Sequence, residues 1–167
     1  PMERLIAELA ERGKIAVAFS GGVDSAFLLA VAKRALGDDV LAITVDSCLT
    51  PQREADEAAE LCAQLGVRQI VLHLDPLSIP EVASNPPDRC YHCKRSIFGA
   101  IIACAAQEGF DIVADGSNVD DLGDYRPGAR AVAELGVISP LQLAGFAKSD
   151  IREASRAMGL PTWDKQS

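Results

Sequence analysis

The chain has 167 residues, the size of one domain, and is 49% hydrophobic but only 5% aromatic, so a real core can form and must be packed from Ala, Val, Ile and Leu. Sixteen Lys and Arg against 24 Asp and Glu leave a net charge of −8, which disfavours a surface built to neutralise nucleic-acid phosphates. No apolar run nears the roughly 20 residues of a membrane span, Met2-Glu3-Arg4-Leu5-Ile6 is no signal-peptide core, and five cysteines in such a chain argue for a reducing, cytoplasmic setting over a disulfide scaffold.

Residues 14–20 (KIAVAFS) form a short apolar run stopping at a glycine pair, which predicts a buried parallel strand. Residues 25–36 predict a helix closed by Gly37, and residues 40–46 a second buried strand. Thr50 and Pro51 carry the cap and first-turn chemistry of the next helix start. Its inward face is expected to be Ala55, Ala58, Ala59, Cys62 and Leu65, with Gly66 as the stop. Residues 68–75 predict a third strand, with His73 as a core histidine. A Pro- and Ser-rich loop spans residues 76–89, and a helix from about residue 94 to 107 turns Ile97, Phe98, Ile101 and Ala105 inward. Residues 111–115 are expected as a fourth strand, 130–135 as a small helix, 137–139 as a fifth strand and 148–158 as the last helix. This alternation specifies a three-layer α/β/α domain on a mainly parallel five-stranded sheet. Residues 1–167 read as that one domain, cut short after Gly159-Leu160-Pro161, with any following domain outside the chain.

Ser20-Gly21-Gly22-Val23-Asp24-Ser25 joins the first strand to the first helix, at the carboxyl edge of the sheet, where open α/β folds bind ligands. Two glycines let backbone N–H groups close on an anion, the helix adds its positive end, and the Ser20 and Ser25 hydroxyls can donate to phosphate oxygens. Asp24 would repel phosphate, so it is expected to cap the helix or hold Mg²⁺. There is no Gly-Lys-Ser/Thr of a Walker A loop and no third glycine of the dinucleotide fingerprint, although Asp46 would suit a ribose. A tight turn with a serine cap is the ordinary alternative.

The hexapeptide resembles the pyrophosphate loop of the N-type ATP pyrophosphatases, the superfamily of GMP synthetase, NAD synthetase and the tRNA thiolases. Asp115-Gly116-Ser117-Asn118, Asp124-Tyr125-Arg126-Pro127-Gly128, Ser139-Pro140-Leu141 and Lys148-Ser149-Asp150-Ile151-Arg152 follow in this order. With Pro87-Asp88-Arg89-Cys90-Tyr91-His92-Cys93-Lys94 and Leu160-Pro161-Thr162-Trp163-Asp164-Lys165, they resemble the LarE family over nearly all of the chain. These are ATP-dependent sulfur transferases that build the nickel-pincer nucleotide of lactate racemase. The resemblance implies a Rossmann-like, adenine-nucleotide alpha-hydrolase fold, with ATP and Mg²⁺ as cofactors and a pyridinium dicarboxylate mononucleotide as substrate. A carboxylate is adenylated with release of pyrophosphate and then converted to a thiocarboxylate.

Carried onto this sequence, the resemblance assigns ATP and pyrophosphate binding to Ser20, Gly21, Gly22, Val23, Asp24, Ser25, Asp46, Ser47, Gly116 and Asn118. Asp24, Cys90 and Cys93 become the catalytic candidates, and Lys94 and Arg126 the candidates for substrate phosphate. In part of the family the sulfur is stripped from a protein cysteine. Other members hold an iron–sulfur cluster, for which Cys90 and Cys93 would be ligands to a [4Fe–4S] cluster completed by a cysteine beyond Ser167. A homo-oligomer and contacts with other nickel-pincer proteins are compatible with this, while nucleic acid and membrane are not expected.

Each residue also has a plainer reading. Cys62 and Cys104 fall on or beside apolar helix faces and are expected in the core, whereas Cys48 follows the second strand at the ligand edge. Redox chemistry, zinc or plain structure are the lesser alternatives for Cys90 and Cys93. Asp46 and Ser47 could be loop polarity, Gly116 a turn glycine, Arg126 a surface ion pair and Lys94 a solvated residue. Three other functions compete: a tRNA thiolase, an ammonia-using GMP or NAD synthetase-like ligase, and a nucleotide-sensing module that turns nothing over.

Overall fold

In the computed structural model, residues 2–19, 22–46, 52–73, 89–119 and 135–160 are described, residues 89–95 as helix backbone alone. In chain order the elements are α1 (Met2–Arg12), β1 (Ile15–Ala18), α2 (Val23–Leu36), β2 (Val40–Asp46), α3 (Gln52–Leu65), β3 (Arg68–His73), α4 (Arg89–Gln107), β4 (Val113–Ala114), α5 (Pro140–Leu143) and α6 (Lys148–Ala157). The strands form one sheet in the order β3-β2-β1-β4. Every pairing is parallel, with Ile15 opposite Val40, Leu41 opposite Arg68 and Ala16 opposite Val113.

Side-chain alternation along these strands builds two cores, one on each face. Ile15, Val17, Val40 and Ala42 meet α1, α2 and α6 through Leu5, Leu9, Phe27 and Ile151, among others. Ala16, Leu41 and Ile43 meet Phe98, Ile101 and Ala105 of α4. The result is the expected three-layer parallel α/β architecture. Helix α2 is buried almost all round, from Ala26 to Ala32, because it is walled by the sheet on one side and by other helices on the rest. Gly37 ends it at φ 63°, its N–H donating to the Lys33 carbonyl, a left-handed position that suits glycine.

Several expectations need adjustment. Among the described residues four strands form, and the place of the fifth is taken by Ile138, which bridges Ala114 in parallel as a single residue pair. The α2 helix starts at Val23, two residues early, so Asp24 lies in its first turn. Helix α4 starts at Arg89, five residues before the expected start, because nothing in Cys90–Cys93 breaks a helix. On α3 Ala58 and Cys62 are buried as expected, but Leu61 is buried in place of Ala59, since the face rotates by a fraction of a turn. His73 is no core histidine: β3 is an edge strand, and the imidazole is 78% exposed at its tip. Helix α1, absent from the sequence reading, follows from Leu5 and Leu9 at four-residue spacing. The start at Thr50-Pro51, the loop over residues 76–88, most of the 130–135 helix and the final 161–167 lie outside the described residues. Among the described residues, no helix is long and apolar enough to cross a membrane.

Candidate functional site

From β1 the chain winds outward through β2 and β3, then returns to pair β4 against the other side of β1. The carboxyl ends of β1 and β4 therefore flank the point where strand order reverses, the crevice in which open α/β sheets hold ligands. The segments after these two strands carry the site.

Gly22 is the N-cap of α2, in extended conformation and with no side-chain cap. The first turn thus presents the positive end of a 14-residue helix toward the crevice. Ser25, also in that turn, directs its hydroxyl to the Gly22 carbonyl at 3.5 Å. Asp24 does not cap the helix, contrary to one of the two expectations for it. Its Oδ2 instead accepts from Lys148 Nζ at 2.7 Å and from Asn118 Nδ2 at 3.1 Å. Its Oδ1 is buried and has no hydrogen-bond partner among the described residues.

Three contacts bring these residues together. Gly116, just past β4, lies so close to the start of α2 that a Cβ on it would sit 2.9 Å from the Ser25 nitrogen. The Val119 N–H donates to the Phe146 carbonyl at 2.9 Å, tying the segment of Asn118 to that of Lys148. The Phe146 ring packs on Phe27 of α2, centroids 5.3 Å apart. Lys148 is then the first residue of α6, whose start is capped by the Asp150 carboxylate accepting from the Ala147 N–H.

Beside this site, Asp115 is buried and accepts three hydrogen bonds: Ser139 Oγ at 2.6 Å, Ser117 Oγ at 2.9 Å and the Ser117 N–H at 3.3 Å. On the far side of β1, Asp46 at the tip of β2 is paired in register with His73, Oδ2 to Nδ1 3.5 Å.

Of the expected site residues, Gly22, Val23, Asp24, Ser25, Gly116 and Asn118 converge, and Asp46 stands at the same sheet edge. Ser20, Gly21, Ser47, Cys48 and Arg126 lie outside the described residues, and Cys90, Cys93 and Lys94 are placed only as the first turns of α4. Cys62 is buried, which pushes its thiol up to about 12, and Cys104 is raised by burial, then by Glu108, against the lowering effect of Arg68. Neither is a ready thiolate. Sequence reasoning gave no role to Lys148, Asp115, Ser117 or Ser139. The signal for Lys148 was its place at a helix start, where a cation is unfavourable unless an anion answers it.

Residues 2–83 match the family model described as a PP-loop domain. That stretch is a PP-loop domain. In this PP-loop chain 38% of aligned residues are identical to the pyridinium-3,5-bisthiocarboxylic acid mononucleotide synthase of Lactiplantibacillus plantarum, over 96% of the chain and 59% of that protein. The resemblance to the LarE family is thereby borne out. An uncharacterised protein of Synechocystis is 35% identical over 98% of the chain and 61% of its own length. The chain thus spans about three fifths of the curated relatives it matches. A solved NMN synthetase from Francisella tularensis superposes with a TM-score of 0.75 over 99% of this chain and 73% of that one, at 19% identity, and so shares the PP-loop fold.

Proposed function

We propose that this PP-loop chain is the nucleotide-activating part of an ATP-dependent sulfur transferase acting on a pyridinium dicarboxylate mononucleotide in nickel-pincer cofactor synthesis. The observation that carries the reading is the 38% identity, over 96% of the chain, to a synthase whose printed product is a pyridinium bisthiocarboxylic acid mononucleotide. The geometry supports the first half of such a reaction. A substrate carboxylate oxygen attacks the α-phosphorus of ATP, the α–β bridging P–O bond breaks, and pyrophosphate leaves. A sulfur nucleophile then attacks the acyl-adenylate carbon and AMP departs: sulfide gives the thiocarboxylate directly, whereas a cysteine thiolate gives a thioester that releases the thiocarboxylate when its Cα proton is lost and the Cβ–S bond breaks, leaving dehydroalanine.

The residues of the loop bind and orient. The α2 N-terminus and Gly22 receive pyrophosphate oxygens, while Lys148 adds a positive charge at the same place. Asp24, with one oxygen held by two donors and the other buried without one, fits a Mg²⁺ ligand. When bound there, Mg²⁺ neutralises charge on the leaving pyrophosphate. Cys90 and Cys93, one turn apart at the start of α4, are the candidates for sulfur chemistry. Two thiols alone do not fit a cubane cluster, and the described residues contain no group of three or more His, Cys, Asp or Glu suited to a metal. No step here is routed through a cluster.

The test is product analysis with the full-length protein, ATP, Mg²⁺ and the dicarboxylate mononucleotide. Substrate-dependent AMP and pyrophosphate are expected. ADP and phosphate as the main products would overturn the reading.

A further inference from the structure

Asp24 is held by two residues that reach it from different parts of the chain, Asn118 after β4 and Lys148 at the start of α6. Something must fix the distance between those two segments, because neither belongs to α2. The Val119–Phe146 backbone bond joins them directly, and the Asp115 carboxylate braces the same two stretches further upstream, at Ser117 and Ser139. It closes the turn that carries Asn118 by taking both the hydroxyl and the N–H of Ser117. With the oxygen that accepts that N–H, it also takes the Ser139 hydroxyl, from the residue preceding α5 on the path to Lys148. The backbone reinforces this clasp: the Asp115 N–H donates to the Ile138 carbonyl at 2.9 Å.

We infer that Asp115, through Ser139 and Ser117, is the positioning residue that sets Asn118 and Lys148 on Asp24. A carboxylate suits the task because it is acceptor-only and can gather three donors around two oxygens. It sits at the end of β4, so the clasp also fixes Gly116, whose backbone abuts the first turn of α2. A displacement at Asp115 would move all three contacts of the α2 start together. Positioning errors of about 1 Å can cost roughly a hundredfold in rate.

This inference rests on the proposed pyrophosphate-releasing reaction. Its test compares Ser139→Ala and Ser139→Thr with the parent in the full-length protein, with substrate-dependent pyrophosphate release, KM for ATP and thermal unfolding all measured. The parent must first release pyrophosphate; ADP from the parent would sink the functional reading itself, and the positioning role with it. With that established, Ser139→Ala should lower kcat roughly 10- to 100-fold with KM for ATP and Tm nearly unchanged. Ser139→Thr, which keeps the hydroxyl, should restore most of kcat. Asp115→Asn, able to accept from Ser139 but poorer toward Ser117, should fall between. Parental kcat in Ser139→Ala, or a kcat loss that tracks Tm and is not rescued by Thr, would overturn the role of Asp115.

Discussion

Lys148 Nζ lies 2.7 Å from Asp24 Oδ2, although 124 residues separate the two in sequence. The ammonium stands at the positive end of α6 and within reach of the positive end of α2, where only a specific anion makes it welcome. Asp24 supplies part of that charge. Nucleotide phosphates arriving at α2 would supply more.

Removing the carboxylate should therefore cost turnover. Asp24→Ala is expected to lower pyrophosphate release by roughly 10²–10³, the scale for one group that stabilises a transition state. Coupled assay of pyrophosphate against ATP concentration measures it, and a loss below threefold would argue that Asp24 only holds Lys148.

Gly22→Val places a branched side chain at the N-cap of α2 and should block backbone approach to phosphate. Calorimetric titration with Mg–ATP should show no binding, while the melting curve stays close to the parent's. Parental affinity in this variant would remove the loop from the site.

Gly116→Ala has no room, since the added carbon would stand 2.9 Å from backbone rather than from a yielding side chain. Destabilisation of about 1–3 kcal/mol is expected for such overpacking, and chemical denaturation would read it. Because the pressure falls on the first turn of α2, affinity for ATP should weaken in the same variant.

Cys62 gives a pH signature. Burial lifts its thiol from the ordinary 9.0 to about 12, so the unfolded chain ionises first as pH rises. Its contribution to stability is complete below pH 9 and declines from there toward pH 12. Denaturant titrations at pH 8 and pH 11 should show the parent losing more stability than Cys62→Val. Equal losses would show that the thiol is not held protonated by the fold.

Cys90→Ser with Cys93→Ser should leave ATP binding and folding intact, because the exchange is nearly isosteric in the first turns of α4. Thiocarboxylate formation, followed by mass spectrometry, should be lost. Full sulfur transfer by the double variant would make the pair structural.

The sheet and most helices were legible because their signals are local. Residues 40–46 read as a strand of the right extent, and Gly37 and Gly66 marked helix ends. The glycine loop was legible for the same reason: six adjacent residues contain their own chemistry. His73 was misread since edge placement is a property of strand order, which one strand's pattern does not contain. The short β4 was overestimated because residues 111–115 look apolar enough, yet only Val113 and Ala114 pair. Lys148 and Ser139 stand out only in the fold because the carboxylates they bond, Asp24 and Asp115, lie 124 and 24 residues away in sequence. Only the folded sheet brings those partners within bonding distance.

Two residues of β1 carry the register with β4, whereas six residue pairs join β2 to β3. The first three strands can thus assemble from neighbouring stretches of chain, but the β1–β4 seam must wait for a long loop to close, a slow step in folding. On the ribosome, the glycine loop emerges well before Asn118 and Lys148 exist. On the proposed function, a nascent chain would have the α2 start with nothing opposite it, and would become competent to grip a nucleotide only when this seam zips. The same narrow seam is where the mature fold should open most readily, and amide exchange at Ala16, which donates across it to the Ile112 carbonyl, should be faster than at the β2–β3 ladder.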